Sequence, residues 1–397
     1  MTRIHRLLLE AMAAAVRGEH TKWEQLSADE WTQLTQLAQD QKVFPLLVEA
    51  VYPCAAFAAL PEPLSRDARR QARQQVFAQT LRSSGLLQLL ARLEGEGVRP
   101  LVMKGILCRE LYPVPEARPS ADEDLLVREE DFLPTVELLK EFGYRPLEES
   151  AGADAYEMGF LSPEGLHIEL HRQPFDPASQ RLGKANALFA RVHGENGRTR
   201  MAGVSAMPPH EHMLYLLLHA FKHLIHRGFG LRQMCDILLW GERYRDEINW
   251  QKLEEQCAAL RAWDFARAVF VLGREVFGIV LPADCTGMES AADALLEDMF
   301  TGGIYGGESL SRKHSAGITL AATEGNTPLL ATLFPGREKL VGRYPWLRRY
   351  PVLLPAAWAA RLAGYAFRER GGEDSAADSV RIGRERTALL RKLNVID

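Results

Sequence analysis

Cysteine is scarce and scattered. Cys54, Cys108, Cys235, Cys257 and Cys285 are the five in 397 residues, and no two form a C-x-x-C pair. That spacing excludes a disulfide framework and a zinc ribbon, and leaves reduced thiols and a cytoplasmic setting as the expectation. A run of about 18 apolar residues is also missing, so no membrane span is expected. The opening Met1–Glu10 lacks a long apolar core and carries Glu10, which argues against a secretory signal. Neither sign of charge dominates: 48 Lys and Arg stand against 52 Asp and Glu, a net charge of −4. No polyanion-binding surface is advertised by the chain as a whole, and nucleic acid is not the expected partner. The glycine-rich Thr301–Gly307 lacks the closing G-K-[ST] of a Walker A loop and follows no strand, so it reads as a loop. With 47% hydrophobic and 25% charged residues, the composition is that of a globular protein of two or three domains.

One stretch concentrates chemistry. Arg118-Pro-Ser-Ala-Asp122-Glu123-Asp124-Leu-Leu-Val127 passes from a cation and a turn-former through three acids into an apolar run. If this segment is extended, Asp122 and Asp124 share one face and Glu123 takes the other. Two carboxylates about 6.5–7 Å apart along a strand repel, and a hard divalent cation such as Mg²⁺ suits the space between them. The bland alternative is an acidic loop tip before an edge strand, because D-x-D is a common string. Upstream, Val98–Met103 reads as a short strand, followed by Lys104-Gly105 and a helix-like Ile106–Tyr112. A turn that opens a helix offers backbone N–H groups to phosphate oxygens. Downstream, Tyr156–Leu161 and Leu166–His171 read as a hairpin turning at Ser162–Gly165, with Glu169 at the centre of its second strand. That pairing puts Glu169 on a neighbouring strand, about 4.8 Å away if antiparallel, as a third acid for a metal.

In order, Met103-Lys104-Gly105, Tyr112-Pro113, Arg118 to Val127, Phe142-Gly143-Tyr144 and His167-Ile168-Glu169-Leu170-His171 resemble the uncharacterised bacterial nucleotidyltransferases of the DNA polymerase β superfamily. The resemblance implies an α+β fold: a small mixed or antiparallel sheet embedded between helical regions. It also implies transfer of an NMP group from an NTP to an acceptor hydroxyl, with loss of pyrophosphate. Asp122, Asp124 and Glu169 would be the catalytic, metal-holding residues, with two Mg²⁺ ions as cofactor and the NTP as substrate. Lys104, Gly105 and Arg118 would meet phosphate. One departure is that Lys104-Gly105-Ile106 stands where the wider superfamily has Gly-Ser, so Lys104 takes over part of the serine's work. The acceptor is an unspecified hydroxyl on a small molecule, peptide or protein.

Around this core the pattern is helical. Residues 4–17 are amphipathic, Ser27-x-x-Glu30 is a capping box opening a helix through Gln39, and 63–94 reads as one long helix broken at Gly95-Glu-Gly97. Glu129–Phe142 is a further helix stopped by Gly143. The expected division is a helical region over 1–95, the α/β core over 96–205 and a helical domain over 206–397. In the last, Pro209–His226 carries His219, Lys222, His223 and His226 on one helical face, and Arg232 and Asp236 are spaced i, i+4 just beyond. Three readings stay open for that face: a polar seam between helices, phosphate or substrate contact by Lys222, His223 and Arg232, or a transition-metal site at His219 and His223. The tail from Phe334 to Arg370 interleaves arginines with Tyr344, Trp346, Tyr350 and Trp358, which fits a solvated helix face with snorkelling side chains better than a phosphate groove. Two rivals from other classes remain: a catalytically idle nucleotide-binding or toxin–antitoxin-type protein on the same fold, and a kinase that passes on the γ-phosphate.

Overall fold

Local rules account for most of the helices. The computed structural model describes residues 1–147, 155–194, 204–226, 228–302, 337–340, 344–360 and 376–396. Helix α1 (Arg3–Arg17) is capped by Thr2, whose hydroxyl accepts from the His5 N–H, and ends at Gly18 in the left-handed region. Helix α2 (Ala28–Asp40) opens on the Ser27–Glu30 capping box, with both reciprocal bonds made. Helix α3 (Phe44–Val51) is apolar and buried at every residue but Glu49. After a single turn at α4 (Ala55–Ala58), α5 (Glu62–Gly95) runs for 34 residues, as the long Arg/Gln/Leu pattern predicts.

The sheet begins at β1 (Leu101–Val102), shorter than the strand expected over Val98–Met103, and α6 (Ile106–Arg109) is a single turn rather than a helix to Tyr112. Next come β2 (Glu123–Leu126), α7 (Glu129–Glu141), β3 (Arg145–Pro146), β4 (Glu157–Leu161) and β5 (His167–His171). Among the described residues these five strands form one mixed sheet in the order β1-β2-β5-β4-β3. The β4–β5 hairpin is antiparallel, turned at Gly165 with φ 83° while Ser162 Oγ accepts from the Glu164 and Leu166 N–H groups. β2 and β5 pair in parallel instead of antiparallel, because α7, β3 and β4 intervene and return the chain in the same direction. The α+β architecture, with helices before and after one small mixed sheet, follows the sequence expectation.

Among the described residues the sheet is followed by a 3-10 helix (Gly183–Phe189), then α8 (Pro209–His226), α9 (Leu231–Arg243), α10 (Trp250–Ala259), α11 (Trp263–Leu272), a π-turn at Gly273–Phe277, and α12 (Glu289–Gly302). By contacts the chain divides into two compact units. The first comprises Met1–Ala220 with Gly230–Ala292, and the second Phe221–Phe229 with Asp293–Asp397. The first unit holds the sheet and its apolar core. In the second, Leu340, Leu347 and Ala357 form a small buried cluster with Tyr344, Leu354 and Trp358 packed on it. Also in the second unit, Arg386 of α13 (Ala376–Lys392) donates to the Leu224 carbonyl. Residues 303–307 of the expected loop and the tail residues Arg343, Arg361, Arg368 and Arg370 lie outside the described residues. Among the described residues no helix is long and apolar enough to cross a membrane.

Candidate functional site

Strand alternation sorts the three acids of the D-E-D stretch. Glu123 and Asp124 are adjacent on β2 and therefore face opposite sides of the sheet. Glu123 turns to the side where Lys104-Gly105 leads into α6. Its carboxylate accepts the Ile106 N–H at 2.9 Å and pairs with Arg109 at 2.8 Å, with both side chains almost wholly buried. Gly105 makes this approach possible. It sits at φ 58°, and a Cβ there would lie 1.7 Å from Glu123 Oε2. The Ile106 N–H at the head of the turn therefore already has an anion, a protein carboxylate where phosphate was expected. Burial pushes the Glu123 carboxyl up and the Arg109 guanidinium down, against their mutual attraction.

On the other face, parallel register sets Asp124 opposite Glu169 and Leu126 opposite His171, while β4 sets Glu157 opposite His171. Asp124 is completely buried, and neither of its oxygens meets a backbone N–H or a hydroxyl. It is held by charge instead. Lys104 Nζ lies 2.9 Å from Oδ2, and His171 Nε2 lies 3.4 Å from Oδ1. His171 Nε2 is also 3.8 Å from Glu169 Oε2, and its Nδ1 is 3.5 Å from Glu157 Oε2. Lys104 further contacts His219 Nε2 of α8 at 3.2 Å, and His219 Nδ1 contacts the Tyr215 hydroxyl at 3.4 Å.

The electrostatics follow from this packing. Burial opposes the charge on Lys104, but Asp124, Asp122 and Glu169 outweigh it and raise its pKa well above the ordinary lysine value. Burial likewise opposes His171 protonation, yet Asp124, Glu169 and Glu157 push its pKa up to about 9. Glu169 is lowered, chiefly by His171, with burial acting against and Lys104 reinforcing. Asp124, Glu169 and His171 each offer a ligand atom within 4.8 Å of the others. A buried carboxylate beside a second acid and an imidazole has the chemistry of a divalent-cation site.

A second network holds the loop that precedes β2. Arg118, 3% exposed, gives Nε to Asp236 Oδ1 at 3.1 Å, Nη2 to Asp236 Oδ2 and Nη1 to Ser120 Oγ. Tyr112 Oη donates to Asp236 as well, at 2.9 Å. Arg232 donates to the Pro119 carbonyl at 2.7 Å, Arg82 to the Ser120 carbonyl at 3.0 Å, and the Ser120 N–H goes to Gln79 Oε1 at 2.8 Å. Helices α5 and α9 thus clamp Arg118–Ser120, immediately before Asp122.

Of the residues expected from sequence to form the site, the structure brings together Lys104, Asp124 and Glu169, with the charge of Asp122 acting on Lys104 and Glu169. Arg118 and Arg232 belong to the clamp. Lys222 and His223 fall in the second compact unit. Sequence reasoning gave no role to His171, Glu157 or Glu123. The signal for His171 was present, since Glu169-x-His171 repeats the i, i+2 spacing of Asp122-x-Asp124 on a strand of the same sheet.

The profile of the family described as "Uncharacterised nucleotidyltransferase" matches residues 27–278, the span that carries the whole sheet, the Lys104–Asp124–Glu169 group and the α9 clamp. The chain belongs to this nucleotidyltransferase family. No curated protein and no solved structure matches it. Family membership implies a nucleotide substrate and a transferase activity.

Proposed function

We propose that this nucleotidyltransferase moves an NMP group from an NTP to an acceptor hydroxyl, within the polymerase β-like superfamily. The acceptor oxygen forms a bond to the α-phosphorus, the bond from that phosphorus to the β-bridging oxygen breaks, and pyrophosphate leaves. The observation that carries this reading is the parallel juxtaposition of Asp124 and Glu169, with the Lys104 ammonium 2.9 Å from Asp124. Asp122, Asp124 and Glu169 would hold Mg²⁺, as two ions in the full site. Mg²⁺ bound there would neutralise phosphate charge and lower the pKa of the acceptor hydroxyl. Lys104 stays cationic throughout the physiological range, and its side chain is 17% exposed, which leaves the ammonium able to take a phosphate oxygen. Glu169, held ionised by His171, serves as a ligand, and its side chain, 33% exposed, marks the open side through which the acceptor proton leaves to solvent. Catalysis of this kind is positioning and electrostatics, so the loss of one buried carboxylate is severe.

The test supplies the protein with Mg²⁺, a cell extract as acceptor source, and ATP, GTP, CTP or UTP labelled at the α- or γ-phosphate. Label from the α-position on a product, with pyrophosphate release, is the expected result. Asp124→Asn should lower the rate about a thousandfold, roughly 4 kcal/mol of transition-state stabilisation. Transfer of γ-label alone would make the protein a kinase. Nucleotide binding without either transfer would make it an idle binding protein on the same scaffold.

A further inference from the structure

His171 is a buried imidazole to which the proposed chemistry gives no ligand role, only that of holding Glu169 ionised. It is 3% exposed, and neither ring nitrogen makes a hydrogen bond. Its two nitrogens nonetheless face carboxylates on opposite sides. Nε2 looks toward Asp124 Oδ1 and Glu169 Oε2, at 3.4 and 3.8 Å, and Nδ1 toward Glu157 Oε2 at 3.5 Å. A ring with one nitrogen turned into an acidic group and the other braced by a separate carboxylate is the usual arrangement of a histidine metal ligand, where the outer carboxylate fixes the tautomer and the ring plane. The sheet enforces it, because Glu157 stands directly across from His171 in the β4–β5 ladder. Asp124 divides its own duties in the same sense: Oδ2 is the oxygen near Lys104, and Oδ1 the one near His171.

We propose that His171 is a nitrogen ligand of the divalent-cation site, oriented by Glu157, and that Asp124, Glu169 and His171 make this a mixed oxygen–nitrogen site selective for Mn²⁺ over Mg²⁺. The proposal rests on the reading that the acids hold a cation, and adds which cation and by which further ligand. Mg²⁺ favours an all-oxygen shell rich in water, whereas imidazole is a good ligand for first-row transition ions.

Mn²⁺ itself is the probe. The full-length protein is titrated with Mn²⁺ without nucleotide, and nitrogen hyperfine coupling is read by pulsed electron paramagnetic resonance. The expected spectrum shows a directly bound ¹⁴N, which becomes ¹⁵N when histidine alone is ¹⁵N-labelled. Mg²⁺ should displace the Mn²⁺ only at more than tenfold higher concentration. His171→Asn should abolish the coupling and weaken Mn²⁺ by about 10- to 100-fold, and Glu157→Gln should keep the coupling while weakening affinity. The isotope exchange in the unaltered chain decides the matter even if a variant fails to fold. Bound Mn²⁺ with no nitrogen coupling, or coupling that persists in His171→Asn, would overturn the assignment and leave the carboxylate reading standing. Absence of any Mn²⁺ or Mg²⁺ binding, with or without NTP, would overturn both.

Discussion

Gly105 is required twice over, by its backbone angle and by its neighbour. At φ 58° a side chain is strained, and a Cβ there would overlap the Glu123 carboxylate. Gly105→Ala should therefore expel Glu123 from Arg109 and Ile106, leaving a buried guanidinium unpaired. A loss of roughly 3–5 kcal/mol is the expected cost, read as a shift in the urea midpoint. Gly97 is the control. It has φ 82° but nothing within 4 Å of its would-be Cβ, so Gly97→Ala should cost only about 1 kcal/mol. The same residue pair shows what the sequence could and could not reveal. A glycine after lysine at the end of a strand signals a tight turn, and the turn is there. That the middle acid of Asp122-Glu123-Asp124 would cap that turn in place of a phosphate depends on a contact between residues 17 apart, which no local pattern encodes.

At the scale of elements, the loop before β2 owes its position to α9. Asp236 neutralises Arg118, and Arg232 holds the Pro119 carbonyl. Breaking the pair from either side leaves a buried charge. Arg118→Met or Asp236→Leu alone should each destabilise by about 3–5 kcal/mol, while the double variant should recover much of that loss, a coupling readable in a double-mutant cycle of unfolding free energies. The i, i+4 spacing of Arg232 and Asp236 was visible in the sequence, and so was a polar side to the helix. Its target was not, because spacing says which residues share a face and never what lies opposite. Amphipathic spacing at α1, a capping box at α2 and glycine stops at α5 and α7 gave helix ends within a residue or two. Strand direction was harder. The parallel pairing of β2 with β5 depends on the path of α7, β3 and β4 between them, a property of topology.

For the whole molecule, acid is the informative stress. His212 is fully buried and stacked on Trp240 with ring centroids 3.9 Å apart, and burial depresses its pKa to about 3. The unfolded chain protonates this ring near pH 6.5 while the folded one resists, so the unfolded state binds more protons between those values. Stability attributable to His212 is thus intact above about pH 6.5 and falls as pH drops from there toward 3, by up to about 1.4 kcal/mol per pH unit. Thermal unfolding from pH 7 to 4 should show the decline, and His212→Phe should flatten it.

The clamp and the acidic face have a shared consequence for how activity arises during synthesis. Arg118 finds its partner 118 residues further along, and Lys104 meets His219 across 115. A nascent chain that has emerged only as far as His171 contains every proposed ligand, but lacks the helix that anchors the loop ahead of them. Closing such long loops comes late, after local helices have formed. Nucleotide transfer should accordingly begin only once α9 has cleared the ribosome, and chains truncated before Leu231 should show none.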